Sequence, residues 1–253
     1  MAPEIHIFHL ELNSFLLLYA IAVVVATFLL QHELKLNHYP PHLFATLILV
    51  GFISGLIGSK AYHLLFEVWD EFLLSPFEVS FNISGYGWYG GFILAGISIA
   101  LTLRIKNLPV LKTLDVIAPI IPISQVFGRF GCFLAGCCQG TPSNLPWAVS
   151  FPNGLFPESV GVHPTQLYEM FAYVGISTCL WKLRKKEMPN GAKFSLYLIL
   201  AGLERLIFEF YRLNPRVLFQ LTVPQIIAIL TIGLGLFIFI NSRHEDAPWR
   251  KMG

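Results

Sequence analysis

The chain has 253 residues, 55% apolar and only 13% charged, where an average soluble domain carries about 25% charged residues. That composition excludes a disordered chain and argues against a cytosolic enzyme, and four cysteines are too few for a disulfide-built secreted scaffold. The net charge of +2 says little about partners, and no nucleic acid is expected among them. The remaining class is an all-α integral membrane protein, read here as a single polytopic domain over residues 1–253.

A spanning helix needs about 20 mostly apolar residues. Seven stretches qualify, at roughly 14–30, 43–66, 88–103, 114–131, 165–181, 194–211 and 223–241. Ahead of the first stand Glu4 and Glu11 and no basic residue, unlike the basic start of a cleaved signal, so this span is expected to stay in the mature protein. Span two carries Gly51, Gly55 and Ser59 at every fourth position, a small-residue seam for close helix packing. The nearby Gly55-to-Lys60 stretch does not fit a phosphate-binding P-loop. Tyr86-Gly87-Trp88-Tyr89-Gly90-Gly91 opens span three; Trp88 suits an interfacial belt, and Gly90-Gly91 suggests a close approach to the backbone. Pro40-Pro41, Pro109, Pro189-Asn190-Gly191 and Pro224 mark the joints. No inverted repeat or low-complexity tract stands out, and a monomer is expected.

Orientation follows from the basic residues, which stay cytoplasmic beside short loops. Lys35 follows span one; Arg104, Lys106 and Lys112 follow span three. Lys182, Arg184, Lys185, Lys186 and Lys193 follow span five, and Arg243, Arg250 and Lys251 lie in the tail. Twelve of the seventeen basic residues therefore share one side if seven helices alternate. The N-terminus is expected outside and the C-terminus in the cytoplasm, with 67–87, 132–164 and 212–222 on the outer face.

Five basic residues remain: Lys60, Arg129, Arg205, Arg212 and Arg216. Arg129 and Arg205 fall in or beside apolar spans, as do Asp115, Glu169, Glu204 and Glu209. An arginine at mid-membrane costs about 2.5–3.5 kcal/mol, so such residues face an interior cavity and mark function. Arg205, Glu209 and Arg212, at i, i+4 and i+7, are expected on one helix face. An internal salt bridge is the plain reading, but Arg before Glu is the weaker helical order. Arg129, in Gly128-Arg129-Phe130-Gly131, adds a second arginine from another span. Flanking glycines leave its guanidinium uncrowded, and guanidinium grips phosphate bidentately. Two such groups near the outer leaflet form a receptor for a phospholipid headgroup.

His163-Pro164-Thr165-Gln166-Leu167-Tyr168-Glu169 opens span five, with Pro164 suited to a first helical turn. Gln166, Glu169 and Tyr173 then share one face. A polar cap at the membrane surface would explain His163, whereas Glu169 lies deeper and needs a partner. Cys132, Cys137 and Cys138 follow Arg129 directly. With no second cysteine pair a zinc site is not the expected reading; a disulfide or simply packed thiols are, and no metal or cofactor is expected.

In this order the pieces resemble the prolipoprotein diacylglyceryl transferase family of bacterial inner membranes. The likeness runs from Leu56-Ile57-Gly58-Ser59-Lys60-Ala61-Tyr62 through Tyr89-Gly90-Gly91, Asp115 to Pro122, Gly128 to Gly131, Leu145-Pro146-Trp147 and Phe151-Pro152. It ends with His163 to Glu169 and Arg205 to Arg212. Members move the diacylglyceryl group of phosphatidylglycerol onto the lipobox cysteine of a secreted prolipoprotein, giving a thioether and glycerol phosphate. The resemblance implies that Arg129, Arg205, Glu169, His163 and Tyr89 stand at catalytic positions. It likewise implies that Arg129, Gln166, Tyr168, Glu209, Arg212, Gly90 and Gly91 bind substrate. Thr165 replaces the motif's serine. The family usually has histidine where this chain has Tyr89, asparagine at Cys132, an acidic residue near Cys137 and tyrosine at Ala201. A phenol, with a pKa near 10, is a poor base, which leaves Glu169 or His163 to take the thiol proton, or another route to activate the thiol. Two other readings follow: a related phospholipid-dependent transferase with a different acceptor, or a non-catalytic lipid carrier or transporter.

Overall fold

The computed structural model describes residues 4–7, 10–66, 68–81, 87–152 and 154–245. Tyr86, Arg250 and Lys251 lie outside the described residues, as do the side chains of Glu4, Glu11, Trp88 and Arg243. A short antiparallel hairpin, β1 (Glu4–Ile7) and β2 (Leu10–Asn13), leads into α1 (Ser14–Leu36). Asn13 starts that helix by accepting the backbone N–H groups of Phe15 and Leu16 at 3.0 and 3.3 Å, a cap that satisfies donors the helix itself cannot. Pro41 occupies the first position of α2 (Pro41–Phe66), where a missing N–H costs nothing. Two six-residue helices, α3 (Trp69–Leu74) and α4 (Pro76–Phe81), lead to α5 (Trp88–Ile105). Then come α6 (Val110–Ile117), α7 (Ile120–Ala135), α8 (Thr165–Leu183) and α9 (Ala192–Phe208), the last closed by a 3-10 turn over Glu209–Tyr211. A second small hairpin, β3 (Arg216–Leu218) and β4 (Leu221–Thr222), precedes α10 (Val223–Glu245).

Each of the seven apolar stretches falls on a helix, with two differences. The fourth is broken: α6 and α7 meet at a 40° bend at Ala118-Pro119, because proline has no N–H to donate and its ring clashes with the preceding turn. The sixth ends as an α-helix at Phe208 rather than continuing to 211. By length and apolarity alone, α1, α2 and most of α10 can cross a membrane, and the bent α6–α7 pair can make a fourth span. α5 is apolar but short, and α8 and α9 carry Gln166, Glu169, Glu204 and Arg205 within their turns. Leu16, Val24 and Phe28 on α1, Phe52 and Ile57 on α2, and Leu230 and Phe237 on α10 stand more than half exposed. An apolar surface of that extent belongs in lipid.

The chain forms two compact units, residues 31–113 and residues 1–30 with 114–253. In the first, α2 packs along α5. The closest approach is between Gly58 and Gly90, where a Cβ on either would overlap the other's carbonyl oxygen. Gly91 sits against Gly55 and Ser59, so the small-residue seam is real and runs through Gly58. In the second unit α8 packs on both α7 and α9, and α10 packs on α9. Asp115 of α6 reaches across to the start of α9, accepting Gly191 N–H at 2.7 Å and Phe194 N–H at 2.8 Å. This carboxylate caps a helix that has no cap of its own. Asp115→Ala should therefore lower the thermal unfolding midpoint in detergent by about 2–8 °C; an unchanged midpoint would remove the capping role.

Candidate active site

Three arginines from separate segments meet at one carboxylate. Glu169, in the second turn of α8, is fully buried. Arg129 of α7 places Nε 2.5 Å from Glu169 Oε2. Arg205 of α9 and Arg212 place Nη1 3.2 and 3.0 Å from Oε1. The other arm of the Arg205 fork, Nη2, lies 2.7 Å from Glu209 Oε2. Glu209 Oε1 accepts from Asn214 Nδ2 and Thr222 Oγ1, both at 2.7 Å. A buried carboxylate is tolerable only with such close partners. Among the described residues the three guanidiniums outnumber the two carboxylates that pair with them, and the ion pair of Arg129 with Glu169 is made through Nε.

Local structure explains the convergence. Gln166, Glu169 and Tyr173 share the buried face of α8, as their spacing requires. Beside Arg129, Gly128 faces open space and Gly131 admits Phe15 of α1. Arg212 arrives differently from expectation. It is not on the helix with Arg205 but in an extended segment, φ −106° and ψ 164°. That segment is held by a bridge between Gly140 and Arg212 and by Thr141 N–H donating to Tyr211 O at 2.8 Å. The 136–140 loop is in turn stapled to the start of α8. Gln166 Nε2 donates to Cys137 O at 2.6 Å and Thr165 Oγ1 to Cys138 O at 3.0 Å.

Behind the arginines, Tyr173 O–H donates to Glu204 Oε2 at 2.9 Å and Tyr197 O–H to Gln125 Oε1 at 3.2 Å. Gln125 and Tyr197 were not singled out from the sequence, although Gln125 precedes Arg129 by one turn on an otherwise apolar helix. Among the described residues, Gln166 Oε1 and Glu204 Oε1 are buried acceptors without a partner. His163 and Tyr168 stand together, Nδ1 3.2 Å from the phenol oxygen. That oxygen accepts Trp147 Nε1–H at 2.8 Å, which joins indole, phenol and imidazole in one polar row. Tyr211 packs on His163 with ring centroids 4.9 Å apart. Tyr211 is a further residue missed by motif reading, whereas Trp147 belongs to the Leu145-Pro146-Trp147 segment of the resemblance.

The cysteines do not lie apart. Gly136, at φ 72°, ends α7 with a left-handed turn that glycine alone adopts without cost, and Cys138 is also left-handed at φ 61°. This reversal brings Cys132, Cys137 and Cys138 Sγ within 4.8 Å of one another, all as free thiols. Cys137 Sγ donates to Cys132 O at 3.6 Å, and the neighbouring Cys132 and Cys137 thiols, with Arg212 and Arg129, hold the Cys138 thiol below the ordinary cysteine range. Tyr89, Gly90 and Gly91 belong to the other unit. Tyr89 lies beside Tyr62, centroids 6.2 Å apart, and the close approach that Gly90 and Gly91 permit is that of α2.

A family model described as Prolipoprotein diacylglyceryl transferase matches residues 4–241. The chain is 36% identical over 242 residues to the phosphatidylglycerol--prolipoprotein diacylglyceryl transferase of Clostridium tetani, covering 94% of this chain and 96% of that one. It is 30% identical over 244 residues to the protein of that name from Finegoldia magna, covering 94% of each. To phosphatidylglycerol--prolipoprotein diacylglyceryl transferase 2 of Clostridium perfringens it is 29% identical over 238 residues, with 92% of each covered.

Proposed function

The chain belongs to the prolipoprotein diacylglyceryl transferase family, and from that premise we propose that it transfers the diacylglyceryl group of phosphatidylglycerol to the lipobox cysteine of a prolipoprotein. The observation that carries this reading is the meeting of Arg129, Arg205 and Arg212 at buried Glu169. The leaving group is a phosphate monoester that gains charge as its carbon–oxygen bond breaks, and fixed cations in a water-poor site stabilise that charge without reorganising. Arg129 and Arg205 hold the phosphate. Arg212 and Glu209 fix the forks, and Gln166 ties α8 to the 136–140 loop. Glu169, with both oxygens committed to guanidiniums, is their counter-ion rather than the base. Gln166 Oε1 and Glu204 Oε1 need donors, and the glycerol headgroup carries two hydroxyls of that kind. His163, Tyr168 and Trp147 form a polar rim where the chain of the acceptor can dock.

Seven apolar stretches, each carried on helix, with most basic residues at alternate connections, support seven crossings, an outer N-terminus and a cytoplasmic C-terminus in the bacterial inner membrane. Donor lipid and acceptor signal helix both reside there, and nucleic acid has no place in the reaction. Purified protein mixed with phosphatidylglycerol and a lipobox peptide should add the diacylglyceryl mass to the peptide, read by mass spectrometry. An unmodified peptide with no glycerol phosphate released would overturn the proposal. Lipid consumed while the peptide stays unchanged would favour a different acceptor, a reading prompted by Tyr89 at the family's usual histidine position.

A further inference from the structure

Glu169 is committed to three guanidiniums and is not free to take the acceptor's proton, and three clustered cysteines have no task in the proposed transfer. We propose that Cys132, Cys137 and Cys138 bind a thiophilic divalent cation, zinc foremost, and that its open fourth position takes the thiolate of the acceptor cysteine. The inference rests on the transferase reading and adds a metal to it.

The geometry argues first. Three sulfurs lie within 4.8 Å of one another, and zinc–sulfur bonds of about 2.3 Å set tetrahedral sulfurs roughly 3.8 Å apart, a closure within side-chain reach. Cys137 and Cys138 are exposed and Cys132 half-buried, so a fourth ligand has access. The backbone carrying them is fixed: Thr165 and Gln166 hold the carbonyls of Cys138 and Cys137. The place is also right. Arg212 pairs with Glu169 and its backbone is bridged to Gly140, two residues after Cys138, so a metal here sits near the groups assigned to the phosphate.

The chemistry closes. Three protein ligands with one open position is the pattern of a catalytic rather than a structural zinc site. Each cysteine thiol gives its proton to solvent as it binds the metal, and so does the acceptor thiol, since a coordinating thiol is deprotonated outright. The acceptor sulfur then forms a bond to the glycerol carbon that bears the phosphate. The carbon–oxygen bond breaks, and its electron pair leaves on the oxygen of glycerol phosphate. The thioether formed is neutral, a weaker ligand, and departs. No oxidant or reductant enters.

The full chain in detergent, reduced and freed of metal by chelator, is titrated with cobalt(II). The expected result is one equivalent bound, with thiolate-to-metal charge-transfer absorbance that zinc abolishes. Cys132→Ser, Cys137→Ser and Cys138→Ser should each weaken binding by more than the roughly tenfold cost of losing an outer-shell partner. Cys179→Ser, exposed on α8, should bind as the parent does. A lipobox peptide should raise the charge-transfer band by about a third, a fourth thiolate joining three, and the same peptide with serine at that position should not. Absence of the band, or a band unchanged in the three variants, overturns the proposal. So does full-rate transfer by metal-free protein, which leaves the transferase reading standing. Peptide left unmodified by metal-loaded and metal-free protein alike overturns the transferase reading, and with it the acceptor's place on the metal.

Discussion

Arg129→Ala and Arg205→Ala are each expected to lower diacylglyceryl transfer by at least about 10²–10³-fold, the loss that follows removal of one preorganised donor to a developing oxyanion. Arg205 is the more informative of the two. Its Nη1 and Nη2 arms reach Glu169 and Glu209 at 3.2 and 2.7 Å, a bridge that requires a planar fork. Arg205→Lys keeps the charge but offers a single ammonium, which cannot span both carboxylates. It should recover little of the lost turnover. Near-normal transfer by Arg205→Lys would mean that charge alone matters and that the fork does not. Arg129, which meets Glu169 through Nε alone among the described residues and is 23% exposed in its side chain, should tolerate lysine better. The two substitutions together thus separate position from charge.

Glu169→Gln should affect stability as strongly as activity. The carboxylate is completely buried and answers Arg129, Arg205 and Arg212 at once. An amide of the same shape leaves three guanidiniums without their shared counter-ion, and breaking a buried ion pair on one side typically costs about 3–5 kcal/mol. The unfolding midpoint in neutral detergent should fall by roughly 6 °C or more, and transfer should drop to background. Added phosphatidylglycerol should restore part of the lost midpoint, because its phosphate supplies the missing negative charge. The same lipid should raise the parent's midpoint by less. A variant as stable and as active as the parent would show that Glu169 does not organise the cluster.

Much of this was legible from sequence because apolar runs and misplaced charges are local signals. The helices fall where the runs lie, and Gln166, Glu169 and Tyr173 share a face as their spacing demands. What sequence could not reach depends on chain reversals and long-range pairing. Arg212 meets Glu169 through an extended segment bridged to Gly140, and no helical spacing encodes that. The three thiols converge because Gly136 and Cys138 are both left-handed, whereas a linear reading places the three cysteines in one short segment without fixing how their side chains meet. Gly90-Gly91 did announce a close approach, but the partner is α2 through Gly58, and a glycine pair does not say what comes near it. The break at Ala118-Pro119 was written in the proline yet hidden by the apolar run around it.

The central claim is that guanidiniums gathered on Glu169 hold one lipid phosphate. Native mass spectrometry of the detergent-solubilised protein with phosphatidylglycerol tests it most directly, by counting bound lipid in the parent, Arg129→Ala and Arg205→Ala. The parent should retain one phosphatidylglycerol in preference to a diacylglycerol without phosphate, and each alanine variant should lose that preference. Equal retention of phosphatidylglycerol by all three proteins would contradict the claim.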